Sequence, residues 1–300
     1  MITFIAVLAV ISVGTFLGIT WTRHQPVAGP TSPATSAVST AAEPSPTTEP
    51  STIAELSPSA GQPTPGPSTP GPSRTAPSLP PRTTGPPGVP ANLLGKDVER
   101  IPTSRPVVAL TFDAGANGDG LASILATLAA QHVPGTFFLT GQFATSYPAA
   151  VRSIVAGGHR IGNHSMTHPY FTRKSDAEIR VELTGAYSAI RAAGGSDPRL
   201  PFRFPFGDRN ARTIAAVNAN GYACIRWTVD TLGWQGTRAG ITVQRIVDRV
   251  LAGAGPGEIV LMHIGSHPDD HSTLDADALP TVIAQLRAHG YSFVTLDALL

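Results

Sequence analysis

Three hundred residues would ordinarily mean two domains of about 150, yet 18 of the 29 prolines fall between residues 26 and 90. That stretch carries five formal charges (Glu43, Glu49, Glu55, Arg74, Arg82) and few large apolar side chains, too few to offset the entropy of ordering. A net charge of +1 without a basic run excludes a phosphate-tracking patch, and hence nucleic acid as a partner. The single cysteine, Cys224, excludes an intramolecular disulfide or a cysteine-rich metal site and reads as an inert core thiol.

Ile2 to Trp21 is twenty uncharged residues, rich in Ile, Val, Leu and Phe and long enough to span a hydrocarbon core. Residues 1–22 therefore read as a transmembrane anchor or a signal segment, with the anchor favoured because no Lys or Arg precedes the apolar run. Arg23 after the span would by loop charge leave the rest of the chain cytoplasmic. Residues 23–100 form a disordered Pro/Ser/Thr-rich linker, and a linker of that kind favours export instead. The chain is thus expected outside the cytoplasm, membrane-anchored or secreted. About seventy such residues reach ~40–50 Å as a coil and ~200 Å when extended.

Residues 101–300 form one domain, and about 200 residues suffice for a single α/β core. Val107 to Phe112 is a buried strand ending at Asp113, followed by a helix with Leu121, Ile124, Leu125 and Leu128 on one face. Thr136–Leu139 is a second strand and Pro148–Val155 an amphipathic helix stopped by Gly157 and Gly158. Ser175-Asp-Ala-Glu178 is a capping box that opens a helix to about Ala193. Strands at Ala223–Val229, Glu258–His263 and Phe293–Leu296 alternate with helices at Val243–Leu251 and Ala278–His289. Alternating units of this kind build a parallel sheet, either doubly wound or closed as a barrel.

Polar residues stand at the C-terminal ends of these strands, where parallel α/β proteins assemble their sites. They are Asp113, His164, His168, Arg203, Asp230 and His263. Histidines four apart, as at 164 and 168, can face one divalent ion from a helical turn. His263, His267 and His271 repeat that spacing, and the last two read as solvated loop residues. Ser165 excludes the HExxH pattern, Gly115-x-x-Gly118-x-Gly120 is not the dinucleotide order, and no G-x-S-x-G elbow occurs.

In order, Thr111-Phe-Asp113, His164-Ser-x-x-His168, Arg203-x-Pro-x-Gly207, Asp230-x-x-x-Trp234 and Leu261-x-His263 resemble the polysaccharide deacetylase family. This is the NodB-homology domain, carbohydrate esterase family 4, and the resemblance spans about residues 104 to 298. It implies a distorted (β/α) barrel of seven or eight units and metal-dependent removal of N-acetyl or O-acetyl groups from carbohydrates. It further implies Asp113 as general base, His263 as general acid, and His164 and His168 as ligands of zinc, cobalt or another divalent ion. Arg203 would orient the base, and Asp230 would pair with the acid histidine and raise its pKa. Pro205, Phe206, Trp234 and Leu261 would form the substrate pocket, with a backbone N–H just after Pro205 facing the oxyanion. Two positions depart from the family pattern. Ala114 stands where a metal-ligating Asp is usual, and Gly233 where an acidic residue is common. Waters, or a carboxylate from Asp119, Asp269 or Asp270, would then have to complete the shell, unless the metal has been lost. The expected function is N-deacetylation of a cell-envelope glycan, most plausibly peptidoglycan. A xylan-type O-acetyl esterase and a catalytically silent glycan-binding domain are the alternatives.

Overall fold

The computed structural model describes residues 88–299. The apolar segment 1–22 and most of the linker 23–100 lie outside the described residues. The linker's last residues do not belong to a tether. Ala91–Leu93 forms a short 3-10 turn and Asp97–Val98 the first strand, β1. Leu93, Val98 and Ile101 are buried, so the domain begins earlier than proline content alone indicates.

The other strands are β2 (Val107–Ala114), β3 (Thr136–Leu139), β4 (Arg160–Asn163), β5 (Pro201–Phe202), β6 (Ala223–Ile225), β7 (Val229–Asp230), β8 (Glu258–His263) and β9 (Ser292–Phe293). Every ladder between them is parallel, in the order β1-β6-β5-β4-β3-β2-β8-β7, with β9 beside the start of β2. The sheet curls until the residues following β1 reach β8, where Arg100 bridges Glu258. Of the two topologies open to alternating units, the curled barrel is therefore the one adopted.

The helices are α1 (Leu121–Gln131), α2 (Gly141–Ser146), α3 (Pro148–Ala156), α4 (Asp176–Ala192), α5 (Ala211–Ala219), α6 (Val243–Gly253) and α7 (Leu274–Ala288). The capping box at Ser175 and Glu178 opens α4 as its sequence requires. Strand β2 is buried along its whole length, which a near-continuous apolar run in a parallel sheet demands. Its alternate residues serve two cores. Val108, Leu110 and Phe112 pack outward against helices, whereas Ala109 packs inward with Phe138, Ala223, Ile225 and Ile259. By the same alternation Thr111 and Asp113 face inward on β2, and Leu261 and His263 on β8.

Three element boundaries differ from the pattern reading. The expected strand 223–229 is split, because the chain changes partners at Trp227. The amide of Arg226 donates to Val98 beside β1, and that of Thr228 to Ile259 on β8. The last strand ends at Phe293, and Leu296–Leu299 forms a 3-10 turn whose first amide is held by Thr136 Oγ1 at 3.1 Å. Helix α7 starts four residues before Ala278, with Asp275 and Asp277 in its first turn, and carries Pro280 inside it.

Candidate active site

A cleft of about 540 Å³ opens at the C-terminal ends of the strands. Asp113 and His263 are register partners in the β2–β8 ladder. Adjacent parallel strands therefore present a carboxylate and an imidazole side by side on the inner face.

Arg203, fully buried, donates from Nη1 to Asp113 Oδ1 at 2.7 Å and from Nη2 to the Arg226 carbonyl at 3.0 Å. Its guanidinium lies 4.1 Å from the centroid of the Phe138 ring, so its orientation is set by packing as well as by hydrogen bonds. Burial alone would raise the Asp113 carboxyl, but Arg203, then His164 and His263, outweigh it and hold Asp113 below the ordinary range. Asp113 is thus a buried carboxylate, ionised and fixed.

His164 follows β4. Its Nδ1 lies 2.9 Å from the Arg203 carbonyl, which requires a donor there and leaves Nε2 unprotonated, 3.4 Å from Asp113 Oδ2. The segment to His168 is a loop, not the helical turn that the i, i+4 spacing suggested. Ser165 and His168 both have positive φ, near 70° and 59°. Three contacts hold them there. Asn163 Oδ1 accepts the Ser165 amide at 2.8 Å, Ser165 Oγ accepts the His168 amide at 3.0 Å, and Glu182 on α4 accepts both the amide and hydroxyl of Thr167. The two imidazoles nonetheless meet edge to face, 4.9 Å between centroids. Burial lowers the pKa of both, that of His168 to about 4, so both rings are neutral around pH 7 and suited to ligation.

Ala114, which stands where the family pattern has a metal-ligating Asp, has no donor atom and belongs to the same buried apolar cluster as Phe112 and Leu139. None of the proposed substitutes reaches the histidines. Asp119 is exposed and accepts from Ser266 Oγ at 2.5 Å, Asp269 faces Arg238 at 3.8 Å, and Asp270 is occupied by Thr237 and Ser272. Among the described residues no group of three His, Cys, Asp or Glu side chains forms a metal cage. His164 and His168 fit a divalent ion as a two-imidazole ligand set, one protein ligand short of the usual three.

His263 has a different partner from the one expected. The carboxylate facing its Nδ1 is Asp275 of α7, with Oδ2 at 3.7 Å, and the same oxygen accepts the His263 amide at 2.8 Å. Burial would lower the His263 pKa, but the facing Asp275 carboxylate, then Asp113 and, more weakly, Asp230 together raise it. Asp230 Oδ1 is engaged by the Leu232 amide at 2.9 Å, so its effect on His263 is one of charge rather than of pairing. Pattern reading missed Asp275 because it started the helix at Ala278 and left this residue in a loop. His267 also differs from a solvated loop residue, since its Nδ1 accepts the Asp269 and Asp270 amides at 3.3 and 3.4 Å and braces the loop.

Leu261, Trp234 and Phe206 line the cleft, whereas Pro205 is buried and does not. Phe206 has a positive φ near 57° that turns its ring outward, where it stacks on Tyr170 at 4.3 Å and meets His168 edge-on at 4.4 Å. Cys224 is buried, with its thiol pushed up by desolvation, and stands apart from the cleft as an inert core residue.

Residues 100–225 match the family model described as polysaccharide deacetylase. A chitooligosaccharide deacetylase of Sinorhizobium fredii is 36% identical over 191 residues, 64% of this chain and 87% of that protein. A peptidoglycan-N-acetylglucosamine deacetylase of Bacillus cereus is 32% identical over 198 residues, 66% of this chain and 70% of its own. Among solved structures, a mutant of a CE4-family pseudoenzyme from Bacillus anthracis, one with restored enzymatic activity, superposes with a TM-score of 0.63. It is 30% identical and covers 69% of this chain and 72% of its own.

Proposed function

Because the chain belongs to the polysaccharide deacetylase family and is a carbohydrate deacetylase, we propose that it removes N-acetyl groups from amino sugars of a cell-envelope glycan, peptidoglycan in the first instance. The observation that carries this reading is the register pairing of Asp113 with His263, with Arg203 bonded to the former and Asp275 facing the latter. An acetamide resists hydrolysis because its carbonyl is a poor electrophile and its amine a poor leaving group. Hydrolysis therefore needs a base for the water and an acid for the nitrogen.

Asp113, ionised and held by Arg203, takes the proton of the attacking water. His263, whose raised pKa favours the imidazolium, gives a proton to the departing nitrogen. The amide N–H that follows Pro205 is the candidate donor to the oxyanion. Leu261 and Trp234 offer an apolar wall for the acetyl methyl. A divalent ion, zinc or another, held by the neutral imidazoles of His164 and His168 would supply carbonyl polarisation and a more acidic water. Similarity to a peptidoglycan-N-acetylglucosamine deacetylase supports the substrate class, and a second hollow adjoins the cleft, sharing Gly115, Ala116 and Gln142 with it. A position outside the cytoplasm, anchored or secreted, rests on the apolar segment 1–22 and the linker.

Acetate release from N-acetylated peptidoglycan and chitooligosaccharides tests the assignment. Asp113→Asn and His263→Ala should each lose roughly 10²–10⁴-fold in kcat while keeping the wild-type circular dichroism spectrum. Chelator should reduce release, and an added divalent ion should restore it. A wild-type rate in either variant would remove that residue's role.

A further inference from the structure

The geometry points to Asp275 as the positioning residue of His263, a carboxylate supplied by α7 into space that is open because residue 233 is a glycine. The inference rests on the reading of His263 as the acid. Asp275 is 3% exposed, and its Oδ2 grips the His263 amide at 2.8 Å while facing the ring Nδ1 at 3.7 Å. The ring Nδ1 and Asp275 Oδ1 are both buried without a hydrogen-bond partner among the described residues. Buried polar atoms left open in this way are costly, and the Asp275 carboxylate is the acceptor that faces the open Nδ1. A ring held by its Nδ1 directs Nε2 toward the cleft, which is the geometry that delivering a proton requires.

Gly233 makes the arrangement possible. A Cβ built on it would lie 2.5 Å from Asp275 Cγ and 2.8 Å from Oδ2, closer than real contacts allow. The φ of Gly233 is not in the left-handed region, and the positive φ of this turn belongs to Leu232, so glycine is needed there for room rather than for conformation. A side chain at 233 and the Asp275 carboxylate therefore compete for one volume. A carboxylate launched from residue 233 should substitute for one removed from residue 275.

Steady-state kinetics on N-acetylated chitooligosaccharide would test this with the full chain. Asp275→Ala is expected to lower kcat about 10–100-fold with KM within about twofold, the size of effect that follows from a misplaced catalytic group. Adding Gly233→Asp to Asp275→Ala should recover about tenfold or more, whereas adding Gly233→Ala should recover nothing. Combining Asp275→Ala with His263→Ala should be no worse than His263→Ala alone. Wild-type kcat in Asp275→Ala, full additivity with His263→Ala, or equal recovery by Ala and Asp at 233 would each overturn the proposal. Asp275→Asn serves if the alanine variant does not fold. If the wild-type chain releases no acetate, the functional reading has failed separately, and ¹⁵N spectra of the His263 ring still decide the positioning role. Protonation at Nδ1 in the wild type, converted to a tautomer mixture by Asp275→Asn, supports it. A spectrum unchanged by the substitution contradicts it.

Discussion

Asp113 and His263 share one inner face of the sheet but are tuned in opposite directions. Arg203 dominates the forces that keep the carboxylate ionised, while Asp275, Asp113 and Asp230 raise the pKa of the imidazole against its burial. Since the reaction needs the imidazolium, kcat/KM should fall as pH rises through a value above 6.5, the ordinary histidine pKa. Asp275→Asn removes the leading raising influence and should move that alkaline limb to lower pH, measured as a pH–rate profile. A limb that stays in place would mean that another group controls it. Asp113, His164, Arg203 and His263 were legible as residue types at strand ends. Asn163, Glu182 and Asp275 were not, because they act through main-chain amides, those of Glu182 and Asp275 lying in other segments. Asn163 also donates to Tyr222, 59 positions away, a contact that no local spacing encodes.

Strands that are short apolar runs closed by a polar residue were readable to the residue, as at Thr136–Leu139 and Glu258–His263. Their hydrophobicity alone requires cover on both faces. The split between β6 and β7 was not readable, because it arises when the chain exchanges one neighbouring strand for another. The loop carrying His164 and His168 likewise took its form from left-handed residues braced by α4, so a helical spacing produced no helix. Beyond it, Tyr170 and Phe206 form an exposed stacked pair at the cleft rim, with the Arg173 guanidinium 4.6 Å from the Tyr170 ring centroid. A flat aromatic face suits a sugar ring. Tyr170→Ala should therefore raise KM several-fold on chitooligosaccharides of four or more sugars and leave KM on a chitobiose unchanged. Equal effects on both lengths would place the pair outside the glycan path.

Across the whole molecule the curled sheet separates chemistry from stability. The cleft occupies the C-terminal ends of the strands, and Glu258 sits at the opposite end, where β8 begins. Glu258 is fully buried, both carboxylate oxygens lack hydrogen-bond partners among the described residues, and burial lifts its pKa to about 7 against partial relief from Arg100. A carboxyl with a raised folded pKa binds its proton more tightly in the native state. Its contribution to stability is complete below about pH 4.5 and is lost as pH rises toward 7. The loss amounts to at most about 3 kcal/mol. Glu258→Gln should flatten that decline and raise the melting temperature at pH 8, as calorimetry at pH 5 and pH 8 would record. An unchanged pH dependence would show that the carboxyl is already paired. The barrel class was legible once its five ordered motifs were read together, whereas the early start of the domain at Ala91 was hidden by the prolines before it. The central claim, hydrolysis of an N-acetyl group by Asp113 and His263, is tested most directly by mass spectrometry of defined muropeptides incubated with the enzyme. The account predicts loss of an acetyl group from an amino sugar with the wild-type chain and none with Asp113→Asn. Unchanged muropeptides, or loss confined to O-acetyl esters, would contradict it.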